Sequence, residues 1–170
     1  MLIQSAELGD APSVMEILTL CVEDMRRHGI DQWDETYPSL RIVEEDARSR
    51  TLFVAREDGR CVASVCLNDI QPAEYRPLPW RYTEGRALVV HRLCVLPERQ
   101  RHGVGRRLME FAREFAREHG FACIRLESYV GAPRAMTMYE GLGYQRVGQV
   151  RFPRRRLPFE CFELSVTGTR

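Results

Sequence analysis

Apolar positions along this chain change their spacing as it advances, and each change marks an element. Leu2 to Ala6 reads as a short first strand. Asp10 stands before Ala11-Pro12, an N-cap with proline near the first helical position. Val14, Ile17, Leu18, Cys21, Val22 and Met25 then recur at helical spacing, which predicts an amphipathic helix stopped by Gly29. A second helix fits Ser39 to about Arg50, after Gly29-Ile30-Asp31-Gln32-Trp33-Asp34-Glu35-Thr36-Tyr37-Pro38. Thr51–Arg56 and Cys61–Leu67 are strand-like and meet across Glu57-Asp58-Gly59-Arg60, where Asp-Gly signals a hairpin. Pro72, Pro77 and Pro79 make Asn68–Gly85 a loop over the surface. Ala87–Leu96 is a long strand ended by Pro97, and from Val104 the residues Leu108, Phe111, Ala112, Phe115 and Ala116 form one helical stripe closed by Gly120. Ala122–Glu127 reads as a strand, Pro133–Leu142 as a short helix, and Tyr144–Val150 and Phe159–Val166 as two last strands.

The order β-α-α-β-β-β-α-β-α-β-β predicts an α/β (α+β) protein on a mixed sheet. No repeat, low-complexity tract or linker interrupts it, so residues 1–170 read as a single domain, long enough for a real core. With 25 basic and 24 acidic side chains the net charge is +1, which argues against a nucleic-acid partner, since such binding needs a sustained basic excess. No apolar run approaches membrane-spanning length, so no membrane partner is expected. The start, Met1 to Glu7, lacks a basic stretch followed by a long apolar one, so a cytoplasmic location is expected. Six cysteines lie scattered without Cys-x-x-Cys or zinc spacing, which reads as reduced thiols and no metal.

The stretch that says most about function is Val95-Leu96-Pro97-Glu98-Arg99-Gln100-Arg101-His102-Gly103-Val104-Gly105-Arg106-Arg107. An apolar strand runs into a basic, glycine-punctuated loop and straight into a helix. Glycines at that spacing let backbone N–H groups crowd an anion without a Cβ in the way, and the helix start adds its unpaired donors and positive dipole end. Arginines at 106 and 107 oppose that dipole, which makes sense if a phosphate sits there. Taken alone, two glycines would more often be a turn with solvated arginines.

Gln100-Arg101-His102-Gly103-Val104-Gly105 resembles the Gln/Arg-x-x-Gly-x-Gly/Ala signature of the GCN5-related N-acetyltransferases, and the element order resembles that superfamily from end to end. The resemblance implies a mixed, mostly antiparallel sheet of six to seven strands with helices on both faces. It implies acetyl-coenzyme A as co-substrate, its pyrophosphate held at Gln100–Arg106 and its pantetheine arm on the backbone of Leu93, Cys94 and Val95. Ala132-Pro133-Arg134-Ala135-Met136-Thr137-Met138-Tyr139-Glu140-Gly141-Leu142-Gly143-Tyr144 is similar to the family's Asn-x-x-Ala-x-x-x-Tyr-x-x-x-Gly-Phe helix. There Tyr139 falls on the tyrosine that protonates the coenzyme A thiolate, while Ala132 and Arg134 fall beside the arm. A phenol suits the task, being protonated at neutral pH yet able to donate to sulfur. Alanine at 132 replaces the family's asparagine and cannot cap the helix.

An amine acceptor must lose a proton before attack. His91, on the central strand, and Glu84, just before it, are the candidate bases, and in many family members the proton passes through water. Trp33 and Tyr37 offer an aromatic wall for the acceptor, and Asp34 and Glu35 offer carboxylates to a cationic amine. A plain connection whose tryptophan plugs the core is equally open. Arg151, Arg154, Arg155 and Arg156 form a basic late loop that suits an acidic acceptor, a coenzyme phosphate or plain solvent. The expected function is transfer of an acetyl group from acetyl-coenzyme A to a small-molecule or peptide amine in a ternary complex, by a monomer or homodimer. A noncatalytic acyl-coenzyme A sensor is the alternative, and a covalent route through Cys94 or Cys66 is a further rival that lacks a paired base.

Overall fold

In the computed structural model, residues 1–166 are described. In chain order they form β1 (Leu2–Ser5), α1 (Ala11–Arg27), α2 (Leu40–Arg48), β2 (Leu52–Glu57), β3 (Arg60–Asn68), β4 (Ala87–Val95), α3 (Val104–Glu118), β5 (Cys123–Tyr129), α4 (Pro133–Gly141), β6 (Gln145–Val150) and β7 (Phe159–Ser165). The strands hydrogen-bond in the order β1-β2-β3-β4-β5-β7-β6. The β4–β5 pair is parallel, whereas β1–β2, β2–β3, β5–β7 and β6–β7 are antiparallel. This is the expected mixed sheet, and every helix and strand read from the spacing is present within two residues at most ends. The β2–β3 hairpin turns at Asp58 and Gly59 with φ of 49° and 81°, the pair of left-handed residues that a tight Asp-Gly turn requires.

Two local expectations need correcting. Asp10 does not cap α1 with its side chain; it ends a 3-10 turn over Leu8–Asp10 and is itself in right-handed helical conformation. Its carboxylate accepts the Glu7 N–H at 3.0 Å and pairs with Arg56, uses that a local sequence window does not show. The segment Asn68–Gly85 is more than a surface loop. It holds a 3-10 turn at Ala73–Tyr75, and Tyr75 is only 1% exposed.

The described chain divides into two compact units, Met1–Gly29 with Trp33–Leu67 and His91–Phe111, and Ile30–Gln32 with Asn68–Val90 and the chain from Ala112 on. In the first, Val14, Ile17, Leu18 and Cys21 of α1 and Val43 and Ala47 of α2 bury Leu52 and Val54 of β2. Phe53 points to the other face and meets Phe111 of α3 with ring centroids 5.1 Å apart. In the second, Val89, Tyr129, Phe159 and Cys161 make a sheet-face cluster with Tyr75, against which Trp80, Leu78, Phe152 and Ile30 pack.

Candidate active site

Beyond Val95 the chain leaves the sheet through a 3-10 turn over Pro97–Arg99. Gln100 ties that turn to the strand, its Nε2 donating to the Val95 carbonyl at 3.1 Å. The same carbonyl accepts the Cys21 thiol at 3.2 Å, so it is engaged twice. After Gln100 the backbone turns left-handed at Arg101, φ 65°, and again at Gly103, φ 80°. Glycine takes that conformation freely, while a side chain there costs roughly 1–2 kcal/mol. The backbone N–H groups of Arg101 through Arg106 donate to no other described residue; the first bond from this stretch is Arg107 N–H to the Gly103 carbonyl at 3.1 Å. A Cβ placed on Gly103 would meet nothing within 4 Å, so room exists where these donors gather. Arg106 and Arg107 are exposed in the first turn of α3. Unpaired donors, a helix dipole and spare cations together suit a polyanion such as a pyrophosphate.

In the second unit, β5 presents chemistry on both faces. Arg125, Glu127 and Tyr129 alternate onto one face and lie opposite Glu163, Cys161 and Phe159 of β7. Leu126 and Phe162 pair on the other face, where α4 packs through Tyr139, 5.8 Å between ring centroids from Phe162 and 6.0 Å from Tyr144. Pro133 starts α4 and Ala132 supplies no side-chain cap, as its methyl group dictates. Tyr139 is 7% exposed, and its hydroxyl makes no hydrogen bond to a described residue. Burial first, and the charge of Glu127 second, raise its pKa further above the usual phenol value, so it stays protonated at neutral pH.

The family model described as "Acetyltransferase (GNAT) family" matches residues 12–144, most of the chain. The chain belongs to the GNAT family. Among curated GNAT relatives, the S-(2-succino)cysteine N-acetyltransferase of Bacillus subtilis (strain 168) is 26% identical over 144 residues, 82% of this chain and 81% of that one. A GNAT acetyltransferase from Streptococcus agalactiae 2603 superposes with a TM-score of 0.84 at 18% identity, covering 96% of this chain and 94% of its own. The yncA protein of Salmonella typhimurium, solved with its cofactor acetyl-CoA, superposes with a TM-score of 0.74 at 18% identity, covering 100% and 96%. The protein is therefore an acyltransferase of the GNAT fold. No helix among the described residues is long and apolar enough to cross a membrane.

The other residues singled out in this GNAT chain have definite places. His91 is half-buried in β4 and Glu84 is exposed in the loop before it. Leu93, Cys94 and Val95 occupy the end of β4, four to six residues beyond the last pair of its ladder with β5, Val89 with Arg125. Trp33 packs on the core between α1 and α2. Asp34 accepts hydrogen bonds from the Thr36 N–H at 2.8 Å and the Tyr37 N–H at 3.1 Å, which shapes the connection, while exposed Glu35 pairs with Arg26. Arg134 is exposed in the first turn of α4. In the late basic loop, Arg155 and Arg156 pair with Asp31 at 3.7 and 3.6 Å. Desolvation pushes the Cys94 thiol up to about 11 and the Cys66 thiol up to about 11, which leaves both mostly protonated at neutral pH.

Two features escaped the sequence. Arg92 has φ 50° within β4, and its guanidinium grips Asp46 through Nε at 3.0 Å and Nη2 at 2.6 Å, with Nη1 3.4 Å from the Tyr37 hydroxyl. Glu127 is the other: it reads as the end of an apolar strand, yet its carboxylate sits beside Tyr75, Cys161 and, through charge, Tyr139. An acidic residue between Leu126 and Ser128 in a buried strand was the available signal.

Proposed function

We propose that residues 1–170 act as one cytoplasmic N-acetyltransferase domain, monomer or homodimer, that moves an acetyl group from acetyl-CoA to a primary amine by direct transfer in a ternary complex. The unpaired run of backbone donors from Arg101 to Arg106 carries this reading, because it suits the pyrophosphate and no described residue uses it. Gln100 holds the loop's shape, Gly103 and Gly105 keep it free of side chains, and Arg106 and Arg134 add charge for the phosphates. The pantetheine arm is assigned to the β4 backbone at Leu93, Cys94 and Val95, where the twice-engaged Val95 carbonyl is not on offer.

In the reaction the neutral amine attacks the thioester carbonyl carbon, and a C–N bond forms as the oxygen gains charge. A β4 backbone N–H aimed at that oxygen lowers the barrier by about 3 kcal/mol. The amine proton passes to a carboxylate, the C–S bond breaks, and Tyr139 donates its proton to the departing thiolate. We assign the base to Glu127 ahead of His91 and Glu84. Glu127 and Tyr139 arise from opposite faces at β5, which suits a thioester whose nucleophile and leaving group lie on opposite sides. The acceptor named for the Bacillus subtilis relative is a modified cysteine, so small amino-acid amines head the candidates.

An acceptor panel spanning amino acids, polyamines, amino sugars and peptide N-termini, read by free-thiol release from acetyl-CoA, tests the reading. Stimulation by at least one amine is expected. Tight acetyl-CoA binding with no stimulation by any of them would favour the noncatalytic sensor instead.

A further inference from the structure

The loop Asn68–Gly85 is tied to β5 by a chain of polar contacts centred on Arg125. Arg125, 7% exposed, pairs through Nε with Glu163 Oε1 at 3.0 Å. Its Nη1 reaches Gln71 Oε1 at 2.7 Å and its Nη2 the Tyr82 carbonyl at 2.7 Å, so one guanidinium clamps both ends of the loop. Its Cζ lies over the Trp80 ring, 4.3 Å from the centroid. Trp80 in turn packs at a tilt against Tyr75, 4.9 Å between centroids, and donates from Nε1 to the Tyr75 carbonyl at 2.9 Å. What this arrangement delivers is a single group: the Tyr75 hydroxyl, which donates to Glu127 Oε2 from a fully buried ring.

We propose that Tyr75 is a positioning residue for deprotonation of the acceptor amine, its phenol fixing the Glu127 carboxylate and holding it ionised. The proposal rests on Glu127 being the base. A donor to one carboxylate oxygen stabilises the charged form, so the base is ready at neutral pH, and it limits the rotation that would turn the carboxylate away from the amine. Tyr75 is suited to stay a donor: burial, and then the charge of Glu127 and its hydrogen bond, keep its pKa well above the ordinary phenol value. Other titratable groups face the same carboxylate. Cys161 lies across the ladder on β7, Tyr139 on α4 feels its charge from the opposite face of the sheet, and Arg125 with its partner Glu163 stands two positions along β5. Of these, Tyr75 is the group that donates a hydrogen bond to Glu127, from a loop held by the Arg125 clamp.

The test is the pH dependence of kcat/KM with one acceptor for wild type, Tyr75→Phe and Glu127→Gln, beside acetyl-CoA affinity by calorimetry. With the acceptor held constant its own amine pKa is common to all three, so a moved limb reports the protein. Tyr75→Phe keeps the ring and its contact with Trp80; it should bind acetyl-CoA as wild type does, lose about tenfold in kcat/KM at neutral pH and move the acidic limb to higher pH. A fluorotyrosine at position 75, isosteric and a stronger donor, should move the limb the other way, and it stands in should Tyr75→Phe fail to fold. In the Glu127→Gln background, Tyr75→Phe should add nothing. If Glu127→Gln is inactive but neither change at position 75 moves the limb, the positioning role is overturned while the base assignment survives. If Glu127→Gln keeps wild-type turnover, the base assignment itself falls.

Discussion

At the head of α3 the chain makes its site out of backbone, with consecutive N–H groups from Arg101 to Arg106 and two left-handed residues to shape them. On β5 it makes a site out of side chains drawn from distant positions: Tyr75, Glu127, Tyr139 and Cys161. In the function proposed above, the first grips and the second reacts. A backbone site tolerates almost any side chain but cannot tolerate a lost glycine. A side-chain site tolerates backbone variation nearby but depends on single functional groups. Changes at the loop should therefore raise the requirement for acetyl-CoA, and changes at β5 should lower turnover at saturation.

The largest effect that would sharpen this contrast is Tyr139→Phe. Turnover should fall by about 10²–10⁴-fold with acetyl-CoA affinity unchanged; steady-state kinetics beside calorimetry reads both. Unchanged turnover would return Tyr139 to packing against Phe162 and Tyr144. Next in size is Arg125→Met. Stranding buried Glu163 should destabilise the fold by about 3–5 kcal/mol, seen in denaturant titration. A loss below about 1 kcal/mol would mean the clamp behaves as a surface pair.

The contrast also explains what the chain showed in advance. The loop and the Tyr139 helix were legible because each is a contiguous run whose glycines, proline and helical spacing carry the geometry locally. The same holds for the hairpin at Asp58-Gly59. Glu127 and Tyr75 were not, because 52 positions separate them and only β-sheet pairing and the Arg125 clamp bring them together. Arg92 hid for the same reason: its partner Asp46 lies on α2, and nothing near it in sequence marks a left-handed residue inside a strand. Asp10 misled because an acidic residue before Ala-Pro has two outlets, a helix cap or a preceding turn, and the pull of Arg56 is invisible locally.

Smaller effects come from the thiols. Cys66, Cys94 and Cys123 are each pushed up to about 11 by burial, from an ordinary 9.0. A raised pKa in the folded state means the stabilisation is complete below pH 9.0 and lost as pH climbs toward about 11. Thermal melts should therefore hold steady up to pH 9.0 and fall between there and pH 11; a flat profile would contradict the burial account. The smallest expected effect is none at all: acetyl-CoA given alone should add no acetyl increment to the intact mass. An increment that vanishes in Cys94→Ala or Cys66→Ala and returns as product on adding an amine would replace direct transfer with a covalent route.

The central claim, that a backbone nest at the start of α3 holds the coenzyme, is tested most directly by titrating acetyl-CoA into wild type and Gly103→Val by calorimetry. A β-branched side chain at φ 80° must reshape the loop, and affinity should fall by at least about tenfold, equivalent to about 1.4 kcal/mol, with an unchanged circular dichroism spectrum. Equal affinity in the two proteins, with the fold intact, would contradict the account.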